Sequence, residues 1–219
     1  TSANSVEFAL KLEEAGVDIL HVSTADRRPT VIPDEHKPEG TFLPLAEAIK
    51  HKVKIPVIAV GAFHTPAFME SVIRDGRADM VAMVRQLIAD PQWPEKVRSG
   101  RIKEIVPCLR CARCIEPVDT GEELQCSVNA LAGKESILQI KPAEKKRHLM
   151  VIGGGPGGME AARVAAIRGH QVTLVEKAPR LGGSLLLLGA IEPAVQPLIN
   201  YSERTLHSLG VNIKLGTEA

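Results

Sequence analysis

The four cysteines of this 219-residue chain all lie in one stretch, at Cys108, Cys111, Cys114 and Cys126. Three of them recur at every third residue and the fourth follows after a longer interval, so the pattern is C-x2-C-x2-C-x11-C. Three thiols at this spacing can surround one face of an iron–sulfur cube, and a more distant fourth thiolate completes the ligand set. The spacing therefore predicts a [4Fe–4S] cluster.

Two other interpretations of the cysteines remain open. Structural zinc usually takes paired C-x2-C ligands separated by a longer loop, whereas this chain has a triplet and a single cysteine. Two disulfides are a further alternative, although cysteines three residues apart pair poorly and no feature of the sequence suggests export. Because thiols gathered in one loop suit a reducing compartment, we predict a cytoplasmic location.

A glycine-rich stretch from Gly153 to Gly158 could bind phosphate groups. It follows a strand pattern at His148–Ile152 and precedes a helical pattern, as in dinucleotide-binding folds. In that arrangement Gly153 permits the tight turn, Gly155 lets the pyrophosphate approach the backbone, and Gly158 lets the helix pack closely. The stretch therefore predicts a partial Rossmann-like domain.

The next strand pattern, Gln171–Val175, ends at Glu176, where an acidic side chain can accept ribose hydroxyl groups. FAD and NAD share these features. A second glycine pair, Gly182-Gly183, favours the phosphates of a flavin nucleotide, and a simple turn is the alternative. A helix at Leu198–Leu209 and a strand at Val211–Leu215 continue the domain.

Strand and helix patterns also alternate in the first 100 or so residues, which predicts an α/β unit with a parallel sheet. The predicted strands are Val17–Val22, Ile55–Val60 and Ala78–Met83, and the predicted helices are Val6–Glu14, Leu43–Lys50, one capped by Thr65 before Pro66, and one after Arg85. A doubly wound sheet and part of a (β/α)8 barrel both give this order.

Gly61 and Arg85, which follow the second and third predicted strands, favour the barrel. Barrels often bind a phosphate at the loops after their last two strands, where an open glycine N–H and a guanidinium are suitable ligands. A surface salt bridge is the alternative role for Arg85.

The composition excludes several classes of protein. A net charge of +1 argues against a nucleic-acid-binding surface, and aromatic residues at 3% offer no stacking platform. The chain has no apolar run long enough to span a bilayer and no signal-peptide pattern, so no membrane association is predicted.

The stretches Ile55–Gly61, Arg77–Arg85 and Ala89–Pro91, then the cysteine loop and Gly153–Gly158, occur in an order that resembles the iron–sulfur branch of the old yellow enzyme family. This branch includes dienoyl-CoA reductase, enoate reductase and trimethylamine dehydrogenase. The resemblance implies an FMN-binding barrel, a [4Fe–4S] cluster and an FAD domain. Electrons would pass from NAD(P)H through FAD, the cluster and FMN to an activated C=C bond, or would come from an amine.

The resemblance also implies domain bounds and site residues. The bounds are 1–104 for the partial barrel (strands six to eight), 105–140 for the cluster loop and 141–219 for the partial FAD domain. The four cysteines resemble the cluster ligands. The FMN phosphate contacts would be Gly61, Val84 and Arg85, and the FAD contacts would be Gly153, Gly155, Gly158, Glu176 and Gly183.

Three positions depart from the family pattern: Ala62 stands where Arg is common, Val84 where Gly is common, and Ala130 where Pro is common. By the same likeness five barrel strands and the residue that protonates substrate are absent, so we expect a piece of a longer enzyme and assign no catalytic acid. The substrate would be a small unsaturated acid, an acyl-CoA or an amine. The alternative is a non-catalytic zinc- or cluster-binding module with a nucleotide-binding half.

Overall fold

The computed structural model describes residues 2–24, 38–115 and 120–219. Contacts within the chain define two compact units, one of Thr1–Pro91 with Arg110–Ala112 and one of Gln92–Leu109 with Arg113–Ala219. The division after Pro91 comes earlier than the predicted domain bound at residue 104. In this grouping residues 110–112 of the cysteine stretch fall in the first unit and the rest of the stretch in the second, and the domain bounds given above stay a prediction.

The first unit contains a parallel sheet whose strands are adjacent in sequence order. The elements are α1 (Ser2–Glu14), β1 (Leu20–Val22), α2 (Leu43–Lys50), β2 (Val57–Val60), α3 (Pro66–Arg74), β3 (Met80–Ala82) and α4 (Arg85–Ala89). The three strands predicted in this unit are all present, but each is shorter than its apolar run. Only three or four residues of each strand pair with a neighbouring strand. The predicted loop from Ser23 to Gly40 lies largely outside the described residues.

Helices cover one face of this sheet. Val57 and Ala59 of β2 are fully buried there, with Leu43 from α2 and Val72 from α3 in the same core. Met80, whose backbone pairs with Ile58, is 42% exposed on the other face. The described part of this unit therefore buries one sheet face more completely than the other, although its strands are apolar on both.

The second unit contains another parallel sheet, with β5 in the centre. Its elements are α5 (Trp93–Arg98), a 3-10 helix (Ile102–Glu104), β4 (His148–Ile152), α6 (Pro156–Ile167), β5 (Gln171–Val175), α7 (Ser184–Leu188), α8 (Val195–Ser208) and β6 (Asn212–Lys214). Strands β4 and β5 have the bounds that the sequence predicts. Helices α5 and α7, of six and five residues, were not predicted.

The core of the second unit lies between the sheet and helices α6 and α8. Leu174 from β5, Ala162 from α6 and Leu206 from α8 are almost fully buried in one apolar cluster. The α/β class with parallel sheets, predicted from the alternating patterns, is thus confirmed in both units. No helix among the described residues is long and apolar enough to cross a membrane.

Candidate functional site

The glycine loop of the second unit is a tight turn between β4 and α6. Gly153 has φ +97°, a conformation that glycine adopts without strain, and its N–H donates to the Val175 carbonyl at 2.8 Å. A Cβ on Gly158 would lie 1.9 Å from the Gly153 carbonyl oxygen, so the helix starts directly against the turn. The tight turn and the close helix packing predicted for these glycines are both present, and nucleotide binding stays a prediction.

Glu176 fixes this loop to the end of β5. Its Oε1 accepts the Ala178 N–H at 2.7 Å and its Oε2 accepts the Gly154 N–H at 2.5 Å. These hydrogen bonds, the one from Ala178 before the one from Gly154, hold the pKa of Glu176 below its ordinary value although partial burial opposes them. Glu176 is therefore an anion at neutral pH, and its oxygens retain lone pairs for the predicted ribose contact.

The second glycine pair lies against the first glycine loop. The Gly182 N–H donates to the Gly154 carbonyl at 2.8 Å, which ties the two loops together. Gly183 has φ +52°, and a Cβ there would lie 2.8 Å from the Gly155 Cα. The contact is made between two backbones, and a side chain at position 183 would prevent it.

The amino end of α6 opens onto this pair of loops. Pro156 is at the first or second helical position, and the N–H groups of a first helical turn have no partner within the helix. A Cβ on Gly157 would meet nothing within 4 Å, and one on Gly155 would meet only the Gly183 Cα, at 4.0 Å. Backbone donors, the positive helix end and this space fit the pyrophosphate of FAD.

In the first unit Gly61 has a packing role that the sequence did not indicate. It has φ +143°, and a Cβ there would lie 2.8 Å from the backbone nitrogen of Phe42. Its carbonyl accepts the Gly40 N–H at 2.8 Å. Glycine is therefore needed at position 61 for contact with residues 40–42, whether or not a phosphate binds.

Glu39 caps α3 from another part of the chain. Its Oε1 accepts the N–H groups of His64 at 2.6 Å and of Thr65 at 2.7 Å, and its side chain is only 14% exposed. Thr65 is the N-cap residue and Pro66 starts the helix, as predicted, but the Thr65 side chain makes no capping hydrogen bond. Sequence reasoning missed Glu39, because it reaches this loop from 25 residues away.

Val84 and Arg85 lie at the same edge of the sheet as Gly61, since Val60 pairs with Ala82 in parallel strands. Val84 is 65% exposed just before α4. The Arg85 guanidinium points to the cysteine stretch, where its Nη1 is 3.5 Å from the Arg110 carbonyl oxygen. Arg85 thus supplies a cation at this edge, and FMN phosphate binding by these residues stays a prediction.

None of the four cysteines forms a disulfide; Cys111 is exposed and the others are half-buried. Within residues 2–24, 38–115 and 120–219, no three or more His, Cys, Asp or Glu side chains are gathered closely enough to hold a metal ion. The donor set nevertheless fits a [4Fe–4S] cluster in kind, because all four candidates are thiols and thiolates are the ligands that such clusters take.

The backbone around the cysteines has features that no sequence pattern indicated. Arg110 and Ala112, on either side of Cys111, have φ +56° and +59°, which is unusual for residues with a side chain. In the second unit the Arg113 Nη2 donates to the Gln125 Oε1 at 2.8 Å. This hydrogen bond joins the residue before Cys114 to the residue before Cys126.

Comparison with known proteins finds two family models in succession. The NADH:flavin oxidoreductase / NADH oxidase family matches residues 1–104, and the pyridine nucleotide-disulphide oxidoreductase family matches residues 117–219.

Individual relatives match almost the whole chain but only part of their own length. An NADH oxidase of Thermoanaerobacter brockii is 43% identical over an alignment of 220 residues, gaps included. The alignment covers 97% of this chain and 34% of that protein. A cinnamate reductase of Clostridium sporogenes is 36% identical over 219 residues, which cover 98% of this chain and 33% of that protein.

The solved structure of a 2-naphthoyl-CoA reductase in complex with 2-naphthoyl-CoA matches with a TM-score of 0.94 at 34% identity, over 100% of this chain and 34% of that one. The chain thus spans about a third of the length of these relatives. By two successive family models and by these relatives, the chain matches the NADH:flavin oxidoreductases of the 2,4-dienoyl-CoA reductase-like family.

Proposed function

We propose that this chain is the electron-transfer part of a flavin- and iron–sulfur-dependent reductase. FAD would bind at the glycine loop of the second unit, a [4Fe–4S] cluster at the four cysteines, and the FMN phosphate at the sheet edge of the first unit. When bound, these groups would supply a route for electrons from NAD(P)H to an activated C=C bond. The observation that carries the proposal is the joined pair of glycine loops held by Glu176.

The residues of the chain bind and orient in this proposal. Backbone N–H groups at the start of α6 would hold the pyrophosphate, and Gly155 and Gly183 keep side chains out of its path. The Glu176 carboxylate, already an anion, would accept a ribose hydroxyl. At the other site Arg85 would neutralise charge on the FMN phosphate.

The substrate class is also a proposal. A cinnamate reductase and a 2-naphthoyl-CoA reductase among the similar proteins support a small conjugated acid or acyl-CoA as electron acceptor. The family resemblance also includes enzymes that oxidise amines. We assign no catalytic acid in this chain.

Cofactor analysis of protein purified without oxygen tests the proposal. We expect FAD, iron and acid-labile sulfide in the wild type. In Cys111→Ser, iron and sulfide should be lost because a hydroxyl group is a poor replacement for a thiolate. Ala112→Ser is the matched control, since it adds the same hydroxyl one residue away and leaves every thiol in place.

Two results would count against the proposal. Unchanged iron and sulfide in Cys111→Ser would show that this thiol is not a ligand. Zinc without sulfide in the wild type would favour the structural module, in which the second unit binds a nucleotide without turnover.

A further inference from the structure

We propose that Arg113 and Gln125 form a clasp that holds Cys126 near Cys114 for cluster assembly. The inference rests on the proposed cluster and adds two residues that the ligand spacing does not assign. The Arg113 guanidinium donates to the Gln125 side-chain oxygen at 2.8 Å. Each partner immediately precedes a proposed ligand, Cys114 or Cys126, so the clasp ties the chain together next to both thiols.

The segment that carries Cys126 is itself closed, so the clasp acts on a supported element. A Cβ on Gly133, which has φ +76°, would lie 3.0 Å from both the carbonyl oxygen and the Cβ of Leu124. Within this turn the Asn129 Oδ1 accepts the Leu131 N–H at 3.1 Å, and Ala132 is buried. Gln125 and Cys126 therefore lie on a compact turn whose two ends touch.

Loop-closure entropy explains why such a clasp is useful. Eleven residues separate Cys114 from Cys126, and the entropic cost of bringing loop ends together grows with the logarithm of loop length. A charge-assisted hydrogen bond beside the loop ends offsets part of this cost before the fourth thiolate binds. Because the Arg113–Gln125 hydrogen bond is exposed, we expect its removal to shorten the time for which the cluster is retained and not to abolish cluster binding.

A charge effect is the competing explanation for Arg113, because a cation near an anionic cluster stabilises it without any hydrogen bond. Gln125 separates the two explanations, since it is neutral and acts only through its contact with Arg113. Arg110 provides the matched control. Arg110→Gln removes one positive charge from the same loop and leaves the clasp in place.

The test compares Arg113→Leu, Gln125→Leu, the double variant, and the exchange in which Arg113→Gln is combined with Gln125→Arg. Iron and sulfide per chain, the rate of iron release to a chelator, and the three-iron against four-iron EPR spectrum are measured on anaerobically purified protein. Either single change should speed iron release by about three- to tenfold relative to the wild type, and the double variant should release iron no faster than Arg113→Leu alone. The exchange should restore slow release, and Arg110→Gln should behave as the wild type.

A second measurement does not need a cluster. In metal-free protein that carries Cys108→Ser and Cys111→Ser, an added small-molecule disulfide is the oxidant and is itself reduced to two thiols. The rate at which Cys114 and Cys126 then form a disulfide with each other reports how often the two thiols meet. Gln125→Leu should slow it by a similar factor. The rate of disulfide formation still tests the clasp if the wild-type protein holds no iron. That result would contradict the proposed function but not the clasp.

Several outcomes would overturn the clasp. One is that Gln125→Leu releases iron and forms the disulfide at the same rates as the wild type. The others are additive effects of the two changes in the double variant and failure of the exchange to restore slow iron release. Equal effects of Arg110→Gln and Arg113→Leu would assign the result to charge instead.

Discussion

Two loops of this molecule share one layout and differ in what occupies the start of the following helix. In each, a parallel strand ends at a glycine with positive φ, Gly61 or Gly153, and a helix with an early proline follows. In each, a carboxylate accepts backbone N–H groups of the loop. Glu39 takes the N–H groups of both residues just before α3, His64 and Thr65, whereas Glu176 takes only that of Gly154, two residues before α6.

The difference shows that a strand, a glycine and a helix start do not by themselves make an anion site. At α3 the positive helix end already has a carboxylate from within the chain. At α6 the neighbour is the backbone of Gly182-Gly183, which carries no charge and leaves room for a phosphate. The start of α3 is therefore occupied by a carboxylate of the chain itself, so the FMN phosphate proposed at this edge would depend on Gly61, Val84 and Arg85, whereas the start of α6 is suited to a ligand.

The largest expected effect is at Gly158, where packing defines the second loop. Gly158→Ala would place a Cβ 1.9 Å from the Gly153 carbonyl oxygen, with backbone on both sides. We expect the second unit to lose about 3 kcal/mol or more of its free energy of unfolding. Urea unfolding followed by circular dichroism measures it. Gly157→Ala is the control, because a Cβ there meets nothing within 4 Å and alanine favours a helix; equal midpoints for both variants would contradict the packing argument.

Gly155→Ala should separate ligand binding from folding. The new Cβ would meet only the Gly183 Cα, at 4.0 Å, so the fold should be kept. The methyl group would project into the space proposed for the pyrophosphate, and FAD affinity should fall by about 100-fold, or about 2.7 kcal/mol. Fluorescence titration with FAD measures the affinity.

Gly61→Ala in the first loop is the counterpart of this change. It should lower stability without altering FAD affinity, because its Cβ would lie 2.8 Å from a backbone nitrogen. If Gly155→Ala binds FAD as tightly as the wild type, the second loop does not hold the nucleotide.

Glu39→Ala tests whether the first loop depends on its internal carboxylate. The change leaves the N–H groups of His64 and Thr65 without their acceptor, and we expect a loss of about 1–3 kcal/mol in the free energy of unfolding. Glu39→Gln keeps the Oε1 acceptor and should cost less. An alanine variant as stable as the glutamine variant would show that these hydrogen bonds contribute little.

Glu176 should make stability depend on pH. Because the folded-state pKa lies below the ordinary value of 4.5, the carboxylate adds stability above that pH, and this stability is lost as the pH falls through the folded-state pKa. Glu176→Gln should remove this acid-sensitive component. Urea midpoints of the two proteins from pH 6 downward, to about pH 3, measure it, and parallel curves would rule out the assignment.

The smallest effect should be stabilising and comes from Ala62. This residue has φ +54°, which costs a residue with a Cβ about 1 kcal/mol relative to glycine. Ala62→Gly should therefore raise the free energy of unfolding by about 0.5–1 kcal/mol, after allowance for the more flexible unfolded chain. Ala62→Val should lower the free energy of unfolding. Thermal melting of both variants measures the effect, and a valine variant more stable than the glycine variant would contradict the prediction.

The sequence determined the features that depend on neighbouring residues. Apolar runs of strand length followed by helical periods gave the α/β class, and β4 and β5 have their predicted bounds. The sequence was enough to assign a tight turn to Gly153 and close helix packing to Gly158, because the two glycines contact each other within a stretch of six residues. The cysteine spacing likewise indicates a ligand set, and cluster binding stays a prediction.

Only the tertiary structure decided the contacts between distant residues. Glu39 with His64, Gly182 with Gly154, and Arg113 with Gln125 are joined across stretches whose intervening residues carry no trace of the pairing. The same holds for Gly61, which the sequence offered as a phosphate ligand and the structure places against the Phe42 backbone. Local patterns fix backbone conformation over a few residues, whereas sheet register and helix packing decide which loops meet.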